Sequence, residues 1–442
     1  MSLNVVKYAP IIEKARTSFW FVPSVMVFSS IILAVASVYF DASYMNNSEL
    51  DIPLIYGIDV DAIRSLLGTI AGAMITVTSI AFSITIVALT LASSQFGPRL
   101  LRNFMMDPGT QVVLGAFISN FLYCILVFCA ISFEAPYTFK PGLTVVIAVI
   151  MTCISVGVLI YFIHHVAKSI QADVVIDDVY QELQNAIQNL FPTHSKQQTS
   201  TDNSAFTATD ISQRNTQLKV VAKCSGYVQT IDQKALVILA TKNNILIECC
   251  FRPGDFIVKD AVIAVVYSNT AVPDTLNNDT ADMLILGACR TPVQDPEFAI
   301  HQLVEIALRA LSPGISDPYT AITCIDKLNA VLCGLTKRNF PSPEHFDQAG
   351  MLRLSCKVLT FRDIANAAFE QIRQQANRDV AVTIRLLDSL HNLIMEAQND
   401  EHKHFVFNQT KMIEEQQNKL SLAEDDLKTI NKRVASIYSD SQ

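Results

Sequence analysis

The sequence predicts an α-helical membrane protein with four transmembrane helices, followed by an α+β region in which a small β-barrel-like module precedes a helical domain. Three observations predict it. Half of the 442 residues are hydrophobic and only 17% are charged, with a mean hydropathy of +0.32. The apolar residues are concentrated: long uncharged runs dominate through Ser169, and a polar, acidic pattern with periodic Leu, Ile and Val begins after Gln171. Four of the uncharged runs reach the ~20 residues that a helix needs to cross a hydrocarbon layer of ~30 Å.

The membrane domain occupies residues 1–170, with spans at about 19–40, 63–94, 110–133 and 143–163. Phe19, Trp20 and Phe21 at one end of the first span and Tyr39 at the other suit the aromatic belts of a bilayer. The second span is bounded by Arg64 and Arg99, and Gly97-Pro98 ends it, because proline cannot continue a helix. Arg99-Leu100-Leu101-Arg102-Asn103-Phe104 then reads as a short interfacial segment. Spans three and four are joined by residues 134–141, too short a link for anything but antiparallel neighbours.

Lys and Arg are retained on the cytoplasmic side of a membrane. Lys7, Lys14, Arg16, Arg99, Arg102 and Lys168 fall on one side, while Asp41, Glu49, Asp51, Asp59 and Asp61 fall on the other. Only Lys140 and Arg64 oppose the trend. Both termini are therefore expected in the cytoplasm.

Span two carries the most informative pattern. Thr69, Gly72, Thr76, Ser79, Ser83, Thr90 and Ser93 fall on one heptad stripe, broken only by Ile86. Two readings fit. Small residues let helices approach closely, and hydroxyls bond across to a neighbour or back to their own helix. Alternatively, the stripe lines a wetted pathway at the centre of an oligomer. No ionisable residue lies inside a span, which argues against ion-coupled transport. Asn120 in span three reads as an interhelical hydrogen bond.

Past the membrane, His164-His165 leads into a connecting helix over 171–191, and the polar stretch 192–217 reads as a flexible linker. Strand-like runs separated by Ser225-Gly226 and Arg252-Pro253-Gly254-Asp255 define a β module over 218–268. It resembles the modules that carry biotin or lipoate, but no lysine stands at a hairpin tip, so no prosthetic group is expected. A helical domain spans 283–400. Asp295 is expected to cap one helix with Pro296 first in it, Ser312-Pro313-Gly314 to stop that helix, and Ser316 or Asp317 to cap the next. Glu305, Arg309, Ser312, Ser316 and Asp317 at this corner read either as caps and an i,i+4 ion pair or as an anion or small-ligand site at two helix ends. A last helix over 405–438 places Ile413, Leu420, Leu427 and Val434 on one heptad position and Ala423, Ile430 and Ile437 on another, a seam that joins subunits or packs on its own domain.

A net charge of −8 with no dense basic run excludes nucleic acid as the main partner. The ten cysteines include the adjacent Cys249-Cys250 but no CxxC and no ligand spacing, so they read as reduced, buried side chains, with no metal and no cofactor. No phosphate loop, catalytic triad or paired carboxylates point to an enzyme.

Several blocks together resemble a bacterial family of predicted membrane proteins of unassigned function, the domain of unknown function 2254 family. They are Ser93 to Leu100, Tyr161 to His165, Arg252 to Phe256, Gln294 to Ile300 and, most specific, Ala310 to Ala321. Ser316 stands where asparagine is expected in that family. The resemblance implies four spans, a cytoplasmic domain and the bacterial inner membrane, and it brings no activity. The residues themselves point to a homo-oligomeric channel or pore-like protein with span two lining the pathway, or else to a membrane-anchored sensor or scaffold that binds a ligand or partner through its cytoplasmic domain.

Overall fold

The computed structural model describes residues 20–44, 59–100, 104, 107–131, 141–192, 216–270, 273, 275–376 and 379–440. The linker expected at 192–217 and the link at 134–141 lie largely outside these residues. So do Lys7, Lys14, Arg16, Arg102 and Lys140, on which the expected orientation rests. The chain divides into two compact units, Met1–Val174 and Val175–Gln442.

The first unit contains α1 (Phe21–Tyr44), α2 (Val60–Phe96), α3 (Pro108–Ile131) and α4 (Leu143–Ser169), all four long and apolar enough to cross a bilayer. α3 is the central helix, half buried along its apolar window, and the other three pack around it. Gly115 permits this, since a Cβ there would lie 2.6 Å from the Met26 sulfur and 3.2 Å from the Pro23 Cα of α1. Polar side chains tie the helices in register. Ser30 Oγ donates to the Ser119 carbonyl at 2.7 Å, Tyr123 Oη donates to the Thr144 carbonyl at 3.0 Å, and Asn120 Nδ2 donates to Ser155 Oγ at 3.1 Å. The interhelical role read for Asn120 is thus what the structure contains.

At one end of the bundle, Asp41 of α1 is fully buried against the start of α4, where its carboxylate accepts the backbone N–H groups of Gly142, Leu143 and Thr144 and the Thr144 hydroxyl at 2.9–3.1 Å. An acidic side chain suits that place, because the first amides of a helix have no intrahelical partner and carry its positive end. Arg64 of α2 closes the opposite polarity: its Nη2 donates to the Ile131 carbonyl at the end of α3, 3.0 Å away. With 37 residues, α2 is about 55 Å long at ~1.5 Å per residue and exceeds the hydrocarbon thickness. It ends at Gly97, whose φ of 109° and ψ of 155° glycine alone adopts readily.

In the second unit, α5 (Ala172–Leu190) buries one face and leads to two sheets. The strands are β1 (Thr216–Val221), β2 (Gly226–Ile231), β3 (Leu246–Cys249), β4 (Phe256–Ile257), β5 (Val262–Ser268), β6 (Leu284–Gly287), β7 (Glu344–Phe346) and β8 (Leu352–Ser355). Five form a sheet in the order β1-β5-β3-β8-β7, antiparallel except for β3 and β8, and three form a second sheet, β4-β2-β6. The barrel-like module expected over 218–268 does not close among the described residues. Its strands divide between two open sheets over a shared core of Val220, Val228, Ile247, Ile257, Ile263, Val266 and Leu354. Three strands from beyond residue 283, where helices were expected, complete the sheets. A helix unforeseen in the sequence, α6 (Gln233–Asn243), separates β2 from β3. Asp232, which caps it by accepting the Ala235 N–H, and Asn244, left-handed at its end, were the signals for it.

After α7 (Thr275–Asp282) the helical half comprises α8 (Pro296–Ala310), α9 (Pro318–Leu335), α10 (Phe361–Gln375), α11 (Val380–Met395), α12 (Asp400–Gln417) and α13 (Glu424–Ser439). The single C-terminal helix expected over 405–438 is therefore two helices. Three consecutive acids, Glu424, Asp425 and Asp426, favour a new helix start there through the helix dipole. The turn returns Ile430, Val434 and Ile437 onto the unit's own core against α11, while Ala423 of the expected seam is exposed.

Candidate functional site

The stripe on α2 has a definite place. Thr69, Gly72, Thr76, Ser79, Ser83 and Thr90 are exposed on the surface of the protomer and Ser93 is half-buried. The face that packs inside the protomer is the other one, with Ile63, Leu67, Ile70, Ala71, Met74 and Ala81. The stripe therefore does not pack against the other helices of its own protomer, and helix–helix packing between protomers stands beside the wetted pathway as a reading of it. The hydroxyls of Thr69, Thr76, Ser79 and Thr90 donate to the carbonyls of Ser65, Gly72, Ile75 and Ile86, at 2.7–3.0 Å. Each hydroxyl spends its proton on its own helix and turns oxygen lone pairs outward.

At the other end of α4, His165 and Asp107 join two spans. Asp107 accepts the Thr110 N–H at 2.8 Å and the Thr110 hydroxyl at 2.7 Å, capping α3, and its Oδ2 lies 2.7 Å from His165 Nε2. Gly109 makes room for the imidazole, because a Cβ there would come within 2.7 Å of Nε2. Burial opposes ionisation of Asp107, but the hydrogen bonds from His165 and Thr110 outweigh it and hold the carboxyl below its ordinary value. A group depressed in the folded state stabilises it above the unfolded pKa of about 4 and loses that contribution as pH falls through the lower folded value. Wild-type protein in detergent should accordingly show a fall in melting temperature below pH about 4 that Asp107→Asn lacks; parallel pH profiles would exclude the pair as its source.

In the second unit, the corner between α8 and α9 is built from its own hydrogen bonds. Ser312 Oγ donates to the Arg309 carbonyl at 2.6 Å, while the Ser312 carbonyl accepts the N–H groups of Ile315 and Ser316, both at 3.0 Å. The Asp317 N–H returns to the Ala310 carbonyl at 2.8 Å. Asp317 is the cap of α9, accepting the Thr320 N–H at 3.2 Å and the Thr320 hydroxyl at 2.6 Å. Ser316, the alternative cap, instead occupies the left-handed turn at φ 52°. Asparagine tolerates that conformation better than serine, which gives the expectation of asparagine at this place a physical reason. Glu305 and Arg309 form the expected i,i+4 pair at 3.5 Å.

Beside the corner is an open cavity of about 410 Å³. Of the five residues singled out in the sequence, Ser316 and Asp317 line it, and Glu305, Arg309 and Ser312 do not. Its far wall is Gln374, Gln375 and Asp379, where α10 ends and α11 begins. Those residues escaped sequence reasoning because nothing local places the α10–α11 turn beside the α8–α9 turn. Two capping carboxylates and two amides give the cavity acceptors on both walls.

A second polar cluster joins two of the sequence blocks. Asp295 stands before α8, as expected, but its side chain does not cap the helix: Arg290 takes it with Nε at 2.6 Å and Nη2 at 2.8 Å. Arg252 reaches Glu297 at 3.2 Å, and Gly254, at φ 96°, leaves the space that Asp295 fills. Burial is the main cause that lifts the Glu297 carboxyl above its ordinary value, with Arg252 opposing it. The cysteines are less uniformly buried than expected, since Cys129, Cys153, Cys224 and Cys289 are exposed.

Comparison with known proteins returns proteins whose names carry no activity. Uncharacterized proteins of Mycobacterium bovis and Mycobacterium tuberculosis are each 30% identical to this chain over 332 residues, 74% of its length. The match takes in 63% of each relative, so the chain spans less than two thirds of their length. No solved structure matches. The profile of the predicted membrane protein family DUF2254 matches residues 16–392, across the four apolar helices, both sheets and the α8–α9 corner. The chain belongs to that family of predicted membrane proteins.

Proposed function

We propose that the protein is a homo-oligomer of the bacterial inner membrane, with both termini and the second unit in the cytoplasm, in which α2 of each copy lines a pathway for water and small solutes. One observation carries this reading: six of the seven stripe residues are exposed on the protomer's surface, on the face of α2 turned away from the other helices. A ring of such helices would present hydroxyl oxygens along a charge-free wall, suited to a partly hydrated cation and without a deep binding well. The second unit would control opening, and no catalytic step is part of the reading.

Reconstituted protein should conduct small cations across liposomes, and Ser83→Leu should reduce the flux at least roughly tenfold without changing the oligomer, because it places a bulky apolar group midway along the wall. A monomer in nanodiscs together with silent liposomes would end this proposal.

The cavity beside the corner favours a second reading, a membrane-anchored sensor whose spans only hold the second unit at the bilayer. Its acceptor-rich walls suit a small ligand carrying an amine or several hydroxyls. Under this reading, Ser83→Leu changes nothing, and solutes of that class raise the melting temperature of the full-length protein but not of Asp379→Ala.

A further inference from the structure

Cys249 and Cys356 are separated by more than a hundred residues in the sequence and are neighbours in the five-stranded sheet. β3 and β8 run parallel with Ile247 opposite Leu354 and Glu248 opposite Ser355, so the next step in register sets Cys249 beside Cys356. Both side chains are buried, at 2% and 4% exposure, in the same core between the sheets. Neighbouring strands lie ~4.8 Å apart, within the Cα separations that a disulfide bridges. The nearness of the two thiols raises the Cys249 thiol, with burial adding to the effect, and lowers Cys356, which makes Cys356 the better nucleophile of the two.

We propose that Cys249 and Cys356 form a reversible redox staple, closed by hydrogen peroxide and reopened by a dithiol that is itself oxidised to its disulfide, that ties β3 covalently to the end of β8. In the first step the Cys356 sulfur attacks the O–O bond: an S–O bond forms, the O–O bond breaks, and one water leaves with the thiol proton. The Cys249 sulfur then attacks the sulfenic sulfur, the S–S bond forms, the S–O bond breaks, and the hydroxyl departs as a second water with the Cys249 proton. Two thiols are oxidised by two electrons, and one peroxide is reduced to two waters.

The position gives the bond a mechanical effect. β7 and β8 are strands of three and four residues at the sheet's edge, and β8 meets β3 through only two registered pairs. Short edge pairings of this kind open readily, which lets a small oxidant in. Closing the staple makes the junction permanent while the oxidised form lasts. It also anchors the chain leading into α10, whose last residues wall the corner cavity.

The experiment uses full-length protein in detergent, with Cys250→Ala introduced so that peptides assign the adjacent cysteines without ambiguity. Reduced protein is treated with hydrogen peroxide, blocked with a maleimide, digested and mapped by mass spectrometry, and hydrogen exchange is followed in parallel. The expected result is a linked pair of peptides carrying Cys249 and Cys356, lighter by two hydrogens and separated again by dithiothreitol. Amide exchange over β8 should slow roughly tenfold or more on oxidation and recover on reduction. Adding Cys356→Ser should abolish both effects; if that variant does not fold, the peptide map of the Cys250→Ala protein decides by itself. Oxidation confined to the exposed Cys224 and Cys289, with Cys249 and Cys356 still maleimide-reactive after unfolding, would overturn the proposal. An unchanged exchange rate over β8 in linked protein would remove its mechanical part.

Discussion

Asp41→Ala should lower the stability of the helical bundle by about 3 kcal/mol, because it strands three amides and a hydroxyl at a buried helix start. Asp41 is 1% exposed, and its carboxylate is the acceptor for Gly142, Leu143 and Thr144 of the neighbouring helix. A cap supplied by the same chain segment would cost about 1 kcal/mol. This one is supplied from about a hundred residues away, so its loss also releases the contact between α1 and α4. Asp41→Asn keeps one acceptor oxygen and should recover only part of the loss. SDS titration in mixed micelles, read by the labelling rate of the fully buried Cys124 thiol, measures it. An unchanged midpoint for Asp41→Ala would show that water replaces the carboxylate and that Asp41 is no clamp.

Asp295→Ala should cost the second unit roughly 3 kcal/mol, since it takes the bidentate partner from the largely buried Arg290 and leaves it only the longer contact with Glu297 at 3.5 Å. The carboxylate is 1% exposed and the guanidinium side chain 20% exposed, so water compensates little. The double variant Arg290→Ala with Asp295→Ala should be less destabilised than the sum of the single variants, because the stranded charge leaves with its partner. Chemical unfolding of the full-length protein, followed by circular dichroism, gives all three values. Additive losses would mean that the two residues do not act as a pair.

The legible part of this protein follows from its solvents. A stretch of Ile, Leu, Val and Phe without charge has one stable form in hydrocarbon, a helix with its amides paired internally, so the four apolar helices could be read directly. Local chemistry also showed through: Gly97-Pro98 ends α2, Pro296 and Pro318 begin α8 and α9, and Asn120 bonds across helices. What failed was whatever depended on distant partners. β8 joins β3 from a hundred residues away, and no pattern within either strand announces it. Asp295 has every sign of a cap, yet Arg290 competes for it and wins with two charged hydrogen bonds. The heptad seam read over 405–438 is broken by a turn that the acidic triplet allows, and only Ile413, Ile430, Val434 and Ile437 of it are buried, on two separate helices.

The same division runs through the candidate sites. Composition and periodicity alone determined that α2 carries a row of glycine and hydroxyl side chains and that a capped corner separates α8 from α9, because spacing along a helix and the chemistry of a cap are local. Only the tertiary structure decided that the row faces out of the protomer and that the corner confronts Gln374, Gln375 and Asp379 across a cavity. Which face of a helix is buried depends on the surfaces of the other helices, and that information is spread over the whole chain.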